Sequence, residues 1–159
     1  YGHVPLLMNP VFANYMQAYG QGGLRAMSFG PEALSQLTRL YWYTVEFGLI
    51  NTPQGLRIYG AGILSSKGEC HYSLNADAPN RIGFDLKRVM NTRYRIDTYQ
   101  KTYFVIDNFE QLFEATFADF APVYAQLNQS KAVPAGEVLS TDKVYHVGTG
   151  EGWLLDGDV

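Results

Sequence analysis

A chain of 159 residues with 47% hydrophobic content is the size of one domain and long enough to bury a core, which argues against a mainly disordered protein. Its formal net charge of -3 is unevenly spread, with ten Lys/Arg and ten Asp/Glu in residues 1–127 and two and five in residues 128–159, and no basic stripe of the kind that tracks phosphates, so nucleic acid is not expected as a partner. No apolar run approaches the roughly 20 residues of a membrane span, no signal peptide is recognisable, and the one cysteine, Cys70, permits no internal disulfide, so a cytoplasmic monomer with no membrane partner is expected.

The opening YGHVPLLMNP has no starting Met and reads as an interior cut, so the chain is expected to be part of a larger protein. Asn9 before Pro10 is a helix-start signal, an N-cap oxygen followed by a proline whose missing N–H costs nothing at the first helical position. That helix should run to about Ala18, where YGQGG breaks it. After Pro31 the apolar residues Leu34, Leu37, Tyr41, Val45 and Leu49 recur at three- and four-residue steps, predicting a second helix that carries Glu46. NTPQG (51–55) is a turn; LRIYGAGIL (56–64) reads as a strand and, beyond the turn SSKG, ECHYSL as its hairpin partner. A short helix fits residues 85–91 and a strand fits Thr102 to Ile106. Asn108 and Gln111 resemble a capping box opening an amphipathic helix through Phe109, Leu112, Phe113, Phe117 and Phe120, which Pro122 kinks or ends. Residues 128–159 form a polar acidic tail without a heptad. The fold class is α+β and mainly helical.

LYWYTVEFGLI (40–50) holds one charge, Glu46, among aromatic and aliphatic side chains. Trp42, Tyr43, Leu49 and Ile50 are its neighbours on a helix face and none is cationic. A carboxylate on an apolar face costs several kcal/mol unless it is paired or protonated. The partner is a distant Arg, a proton or a metal ion, and the ordinary reading is a partly exposed or Arg-paired Glu. His3 is 43 residues away and nothing local brings it close. Glu69 and His71 would share one strand face but read as a solvent-exposed edge pair, and His146 reads as an ordinary tail residue. YGAGILSS lacks the third glycine of the dinucleotide fingerprint, and GQGG lacks the G-K-[ST] of a phosphate loop.

Taken together, GHVPLL (2–7), YWYTVEFGLI (41–50), RIYGAGILSS (57–66) and NTRYRIDTYQKTYFVIDNFEQLF (91–113) resemble the pterin-dependent aromatic amino acid hydroxylases, most closely the bacterial phenylalanine 4-hydroxylases; the similarity covers roughly residues 1–125. The resemblance implies that family's catalytic-domain fold with its N-terminal part missing: residues 1–127 would be the C-terminal part of an iron- and pterin-dependent catalytic domain. It implies a non-haem Fe(II) held by two histidines and a glutamate, a facial triad with open positions. The second histidine of the H-[DE]-x-x-G-H-V-P motif falls on His3 and the carboxylate ligand on Glu46. The same carry-over places Trp42 against the substrate ring, Tyr41 on the pterin side, Ser65 beside an iron histidine and the substrate carboxylate, and Gly62 where backbone approaches the substrate. The implied cofactors are Fe(II) and tetrahydrobiopterin, and the implied reaction is conversion of L-phenylalanine to L-tyrosine with O2. The first motif histidine, most pterin contacts and the family's substrate-binding arginine would lie upstream of Tyr1. The alternatives are a tyrosine or tryptophan hydroxylase, or a catalytically silent fragment.

Overall fold

The computed structural model describes residues 3–117 and 119–153. A short helix, α1 (His3–Leu6), leads into α2 (Pro10–Ala26), whose start is as expected: Asn9 Oδ1 accepts from the backbone N–H of Val11 and Phe12 at 2.9 and 3.3 Å. The end is not where the glycines predicted. α2 continues through Gly20, Gly22 and Gly23, although each glycine costs about 0.5–1 kcal/mol in a helix. Packing supplies the compensation, since Phe12, Tyr15 and Ala26 are buried and the Phe120 ring lies against Gly22.

After a 3₁₀ turn (Met27–Phe29), α3 (Pro31–Tyr41) passes into one π-helical turn, Trp42–Glu46, and the predicted helix stops there rather than at Leu49. Leu49 instead opens β1 (Leu49–Thr52), which pairs antiparallel with β2 (Gly55–Ile58) across the NTPQG turn. The hairpin thus lies one segment earlier than predicted. The expected strand 56–64 ends at Ile58, and Ala61–Leu64 is a helical turn, α4. ECHYSL belongs to a helix, α5 (Lys67–Asn75), capped by Ser66, whose hydroxyl accepts from the Glu69 N–H at 3.2 Å.

The remaining elements are β3 (Asn80–Gly83), α6 (Leu86–Met90), β4 (Thr102–Ile106), α7 (Phe109–Phe117), α8 (Ala121–Leu127) and β5 (Val144–His146). Pro122 opens α8 instead of ending α7, and Phe120 lies beyond α7, at the α8 N-cap; the side chain of Phe117 is outside the described residues. The capping pair forms as predicted on the Asn108 side, with Asn108 Oδ1 accepting from Gln111 N–H at 2.9 Å, while Gln111 Oε1 accepts from Asp107 N–H. The sheet order is β2-β1-β4-β3-β5, parallel at β1/β4 and β4/β3 and antiparallel at both edges. Helices cover a large core around Phe12, Tyr15, Leu40, Tyr43 and Phe104, and a smaller cluster forms around Phe47, Leu49, Ile63, Tyr103 and Val105.

The described part of the acidic segment, 128–153, lies against this body. Val133 exchanges backbone hydrogen bonds with Asn91 and Arg93, β5 adds the last strand beside β3, and Asp142 forms a two-pronged ion pair with Arg88 at 3.0 and 3.3 Å. His146 sits on β5, half-buried, with Nε2 3.1 Å from the Asp77 carbonyl.

Glu69 is not the solvent-facing strand residue that was expected. On α5 it is 6% exposed and points away from His71, accepting from the Tyr103 hydroxyl at 2.8 Å and the Gln100 N–H at 3.4 Å. Burial holds its carboxyl above the ordinary range, opposed by those two hydrogen bonds. Between the ordinary carboxylate value and this raised one the folded chain holds more protons than the unfolded chain, so this group makes stability fall as pH rises through that window. Glu69→Gln keeps an acceptor oxygen and cannot titrate. Urea midpoints measured from pH 4.5 to 7 should fall less steeply in the variant than in the parent, and equal slopes would remove Glu69 as the cause.

Candidate metal centre

Two elements far apart in the chain bring the site together. The π turn is closed by the Phe47 N–H donating to the Trp42 carbonyl at 2.9 Å, five residues back, before the chain turns sharply into β1. Such single-turn π segments insert an extra residue and re-aim the side chains that follow. Tyr15 hydroxyl to Thr44 hydroxyl at 2.7 Å, and Tyr43 hydroxyl to the Arg93 carbonyl at 2.6 Å, pin the turn from the core side. Glu46, at its end, faces outward with its side chain 21% exposed.

There it meets α1. His3 Nε2 lies 2.8 Å from Glu46 Oε1 and 3.4 Å from the Tyr41 hydroxyl. The described group nearest the carboxylate is therefore this imidazole, and among the described contacts no Arg approaches it. The Tyr41 hydroxyl is held above its usual range, first by burial and then by the charge of Glu46 and a hydrogen bond to it, and so remains a neutral phenol.

A third segment closes in from below. A Cβ at Gly60 would lie 2.4 Å from the Glu46 carbonyl oxygen, and one at Gly62 would lie 2.9 Å from the Phe47 ring and 3.0 Å from Glu46 Oε2. Only glycine lets α4 approach the carboxylate this closely. His3, Glu46, Gly62 and Ser65 line the polar end of a half-open cleft of about 640 Å3, whose walls are Leu6, Ile58, Tyr59 and Leu64. Ser65 donates its hydroxyl hydrogen bond to the Gly62 carbonyl at 2.6 Å and makes none to His3.

Four of the six residues singled out from the sequence thus share one cleft and Tyr41 touches its histidine. Trp42 does not line it. The indole packs instead between Tyr94 and Phe47, with ring centroids 4.5 and 4.6 Å away, and its N–H donates to Gln100 Oε1 at 3.0 Å. Sequence reasoning missed Gly60, Tyr59 and Gln100. Of the G-x-G in YGAG, Gly62 was read as a point of close backbone approach to the substrate and Gly60 was given no role, although the paired glycines were the signal available.

The donor set suits a first-row divalent ion. Bonds of about 2.0–2.2 Å to nitrogen and oxygen place two adjacent donors of one ion about 3 Å apart, close to the observed His3 to Glu46 separation of 2.8 Å. Imidazole nitrogen with carboxylate oxygen is the combination that holds non-haem iron. An ion held there would need a neutral imidazole with its Nε2 lone pair free. Among the described residues no group of three His, Cys, Asp or Glu side chains converges anywhere.

Residues 1–133 match the family model described as biopterin-dependent aromatic amino acid hydroxylase. The chain is 64% identical over its whole length to a phenylalanine-4-hydroxylase of Ralstonia nicotianae and 63% identical to one of Chromobacterium violaceum, and it covers 50% and 53% of those proteins. It thus spans about half the length of the curated relatives it matches. A crystal structure of the C. violaceum phenylalanine hydroxylase bound to cobalt is similar at a TM-score of 0.87 and 66% identity, over 90% of this chain and 51% of that one. The chain belongs to the biopterin-dependent aromatic amino acid hydroxylase family.

Proposed function

We propose that this chain supplies the His3 and Glu46 ligands of a non-haem Fe(II) site in a tetrahydrobiopterin-dependent phenylalanine 4-hydroxylase that converts L-phenylalanine to L-tyrosine with O2. The observation that carries the reading is the 2.8 Å approach of His3 Nε2 to Glu46 Oε1 at the mouth of an apolar-walled cleft, from positions 43 residues apart. Two relatives at 63% identity or above named phenylalanine-4-hydroxylase, and a cobalt-bound structure of one of them, support the substrate and the metal. A facial triad takes a further ligand, and the family motif puts a histidine five residues before His3.

In this reading Glu46 would contribute an anionic oxygen and His3 a neutral nitrogen to hold the ion. The bound iron, with the reduced pterin, supplies the activation of O2. The walls at Leu6, Ile58 and Leu64 keep water from the reacting ring. The Ser65 hydroxyl would turn from the Gly62 carbonyl to hold the substrate carboxylate, Gly62 would leave room for the substrate backbone, and Tyr41 would border the pterin side. Trp42, whose indole does not line the cleft, would bear on the substrate ring indirectly, through the π turn it shares with Glu46. The catalytic share would lie in residues 1–127, since every residue lining the cleft falls between His3 and Ser65, and the described residues 128–153 brace the body. A cytoplasmic monomer completes the proposal; among the described residues no helix is long and apolar enough to cross a membrane.

The test is product analysis. The iron-loaded holoenzyme carrying this chain, given L-phenylalanine, L-tyrosine and L-tryptophan with tetrahydrobiopterin, should form L-tyrosine from L-phenylalanine at the highest kcat/KM of the three. A higher kcat/KM for either other amino acid, or no hydroxylated product from any, overturns the reading.

A further inference from the structure

Gln100 is 2% exposed and belongs to no helix or strand, yet its side-chain amide and backbone N–H are all committed. Its Oε1 accepts from the Trp42 indole N–H at 3.0 Å, its Nε2 donates to the Arg95 carbonyl at 2.9 Å and the Thr98 carbonyl at 3.4 Å, and its backbone N–H reaches Glu69 Oε1 at 3.4 Å. An indole N–H can only donate and a carbonyl can only accept, so the amide has one orientation here and cannot be flipped without losing all three side-chain bonds. Two further ties join the same loop to the π turn: the Tyr94 ring stacks on Trp42 at 4.5 Å, and the Tyr43 hydroxyl donates to the Arg93 carbonyl.

We infer that Gln100 is a positioning residue: it locks the Trp42 indole between Tyr94 and Phe47 and so joins loop 93–100 to the turn that carries Glu46 as one rigid unit. Trp42 has no other hydrogen bond for its N–H among the described contacts, and its flanking rings restrain tilt but leave in-plane sliding open. The amide supplies the missing constraint. Because Trp42 and Glu46 lie on one π turn, the indole and the carboxylate keep a set separation only while the turn is held at both ends. The consequence for catalysis rests on the function proposed above; the constraint on the indole does not.

Gln100→Met, of similar volume, removes both the acceptor and the two donors. Gln100→Glu keeps an acceptor for the indole but turns a second oxygen toward two carbonyls, so it separates the hold on Trp42 from the hold on the loop. In a background with Trp153 and any tryptophan outside this chain replaced by Phe, Trp42 is the sole fluorophore of its type. Gln100→Met should lower the emission anisotropy of Trp42 and Gln100→Glu should leave it near the parent value. In the iron-loaded holoenzyme, Gln100→Met should raise KM for L-phenylalanine about tenfold while kcat and the pterin KM move less than about twofold. The double variant with Trp42→Phe should be no worse than Trp42→Phe alone, because Gln100 acts through the indole. Unchanged anisotropy in Gln100→Met, additive effects in the double variant, or equal rises in both KM values would overturn the inference. Should Gln100→Met fail to fold, hydrogen exchange of the Trp42 indole N–H in the parent protein decides: slow exchange supports the lock and exchange at the free-indole rate refutes it. Failure of the parent to hydroxylate L-phenylalanine would sink the proposed function and leave the anisotropy and exchange results standing.

Discussion

In the proposed iron site, Glu46→Gln in the iron-loaded holoenzyme should weaken iron binding by at least about a hundredfold and remove hydroxylation with it. Even groups that only orient a ligand contribute about 10–100-fold to metal affinity, and here the ligand charge itself is lost. The amide keeps the size and one acceptor oxygen, so His3 still finds a partner. In the metal-free chain the His3 and Glu46 pair is partly exposed, with side chains 46% and 21% accessible, and pairs of this kind contribute about 0–1 kcal/mol. The variant's metal-free stability should therefore stay within about 1 kcal/mol of the parent while the rise in melting temperature on adding Fe(II) disappears. Iron content after desalting, together with melting curves at several Fe(II) concentrations, separates the two effects. Undiminished iron content would take Glu46 out of the ligand set.

Asp142→Ala should be the most damaging change outside the cleft. The Arg88 and Asp142 side chains are 6% and 4% exposed, joined by two hydrogen bonds, and the Arg88 guanidinium also donates to Thr92 and to the Glu137 carbonyl and lies 5.8 Å from the Phe104 ring centroid. Asp142 also accepts from the Leu139 N–H. Deleting one partner of such a buried pair leaves a charge without its counterion and costs about 3–5 kcal/mol. The expected fall in melting temperature is roughly 10 °C. Arg88→Met in the same background should recover part of the loss, because the uncompensated charge is then gone. A fall no larger than about 2 °C in Asp142→Ala would mean that the C-terminal segment is held by its backbone pairing to β3 and Asn91 alone.

The two cases differ in how far they could be read from the residues. Glu46 announced itself, since a lone carboxylate in an aromatic stretch needs a partner, but the partner lay 43 residues away and no local pattern could supply it. Asp142 gave no such sign, being one acid among five in a segment poor in hydrophobic residues. Helix starts were legible at Asn9 and Asn108 because capping is a contact between residues two or three apart. Helix and strand ends were harder. Leu49 and Ile50 fit a helical period as well as a strand, and pairing with Ile58, Arg57, Val105 and Ile106 decided between them. Gly20 to Gly23 read as a break because glycine disfavours helix, yet contacts with α7 and Phe120 outweighed that preference.

The residues by themselves indicated an α+β chain, the helix starts at Asn9 and Asn108, the strand at Thr102 to Ile106, and, through ordered motifs, the family and the candidate pair His3 and Glu46. Each of these depends on neighbours along the chain or on a motif carried whole. The tertiary structure alone decided that His3 and Glu46 meet, that Glu69 is buried, that α4 rests on Glu46 at Gly60 and Gly62, and that Gln100 holds Trp42. Those are distances between segments tens of residues apart, and they are set by how helices and strands pack once formed, which no local periodicity encodes.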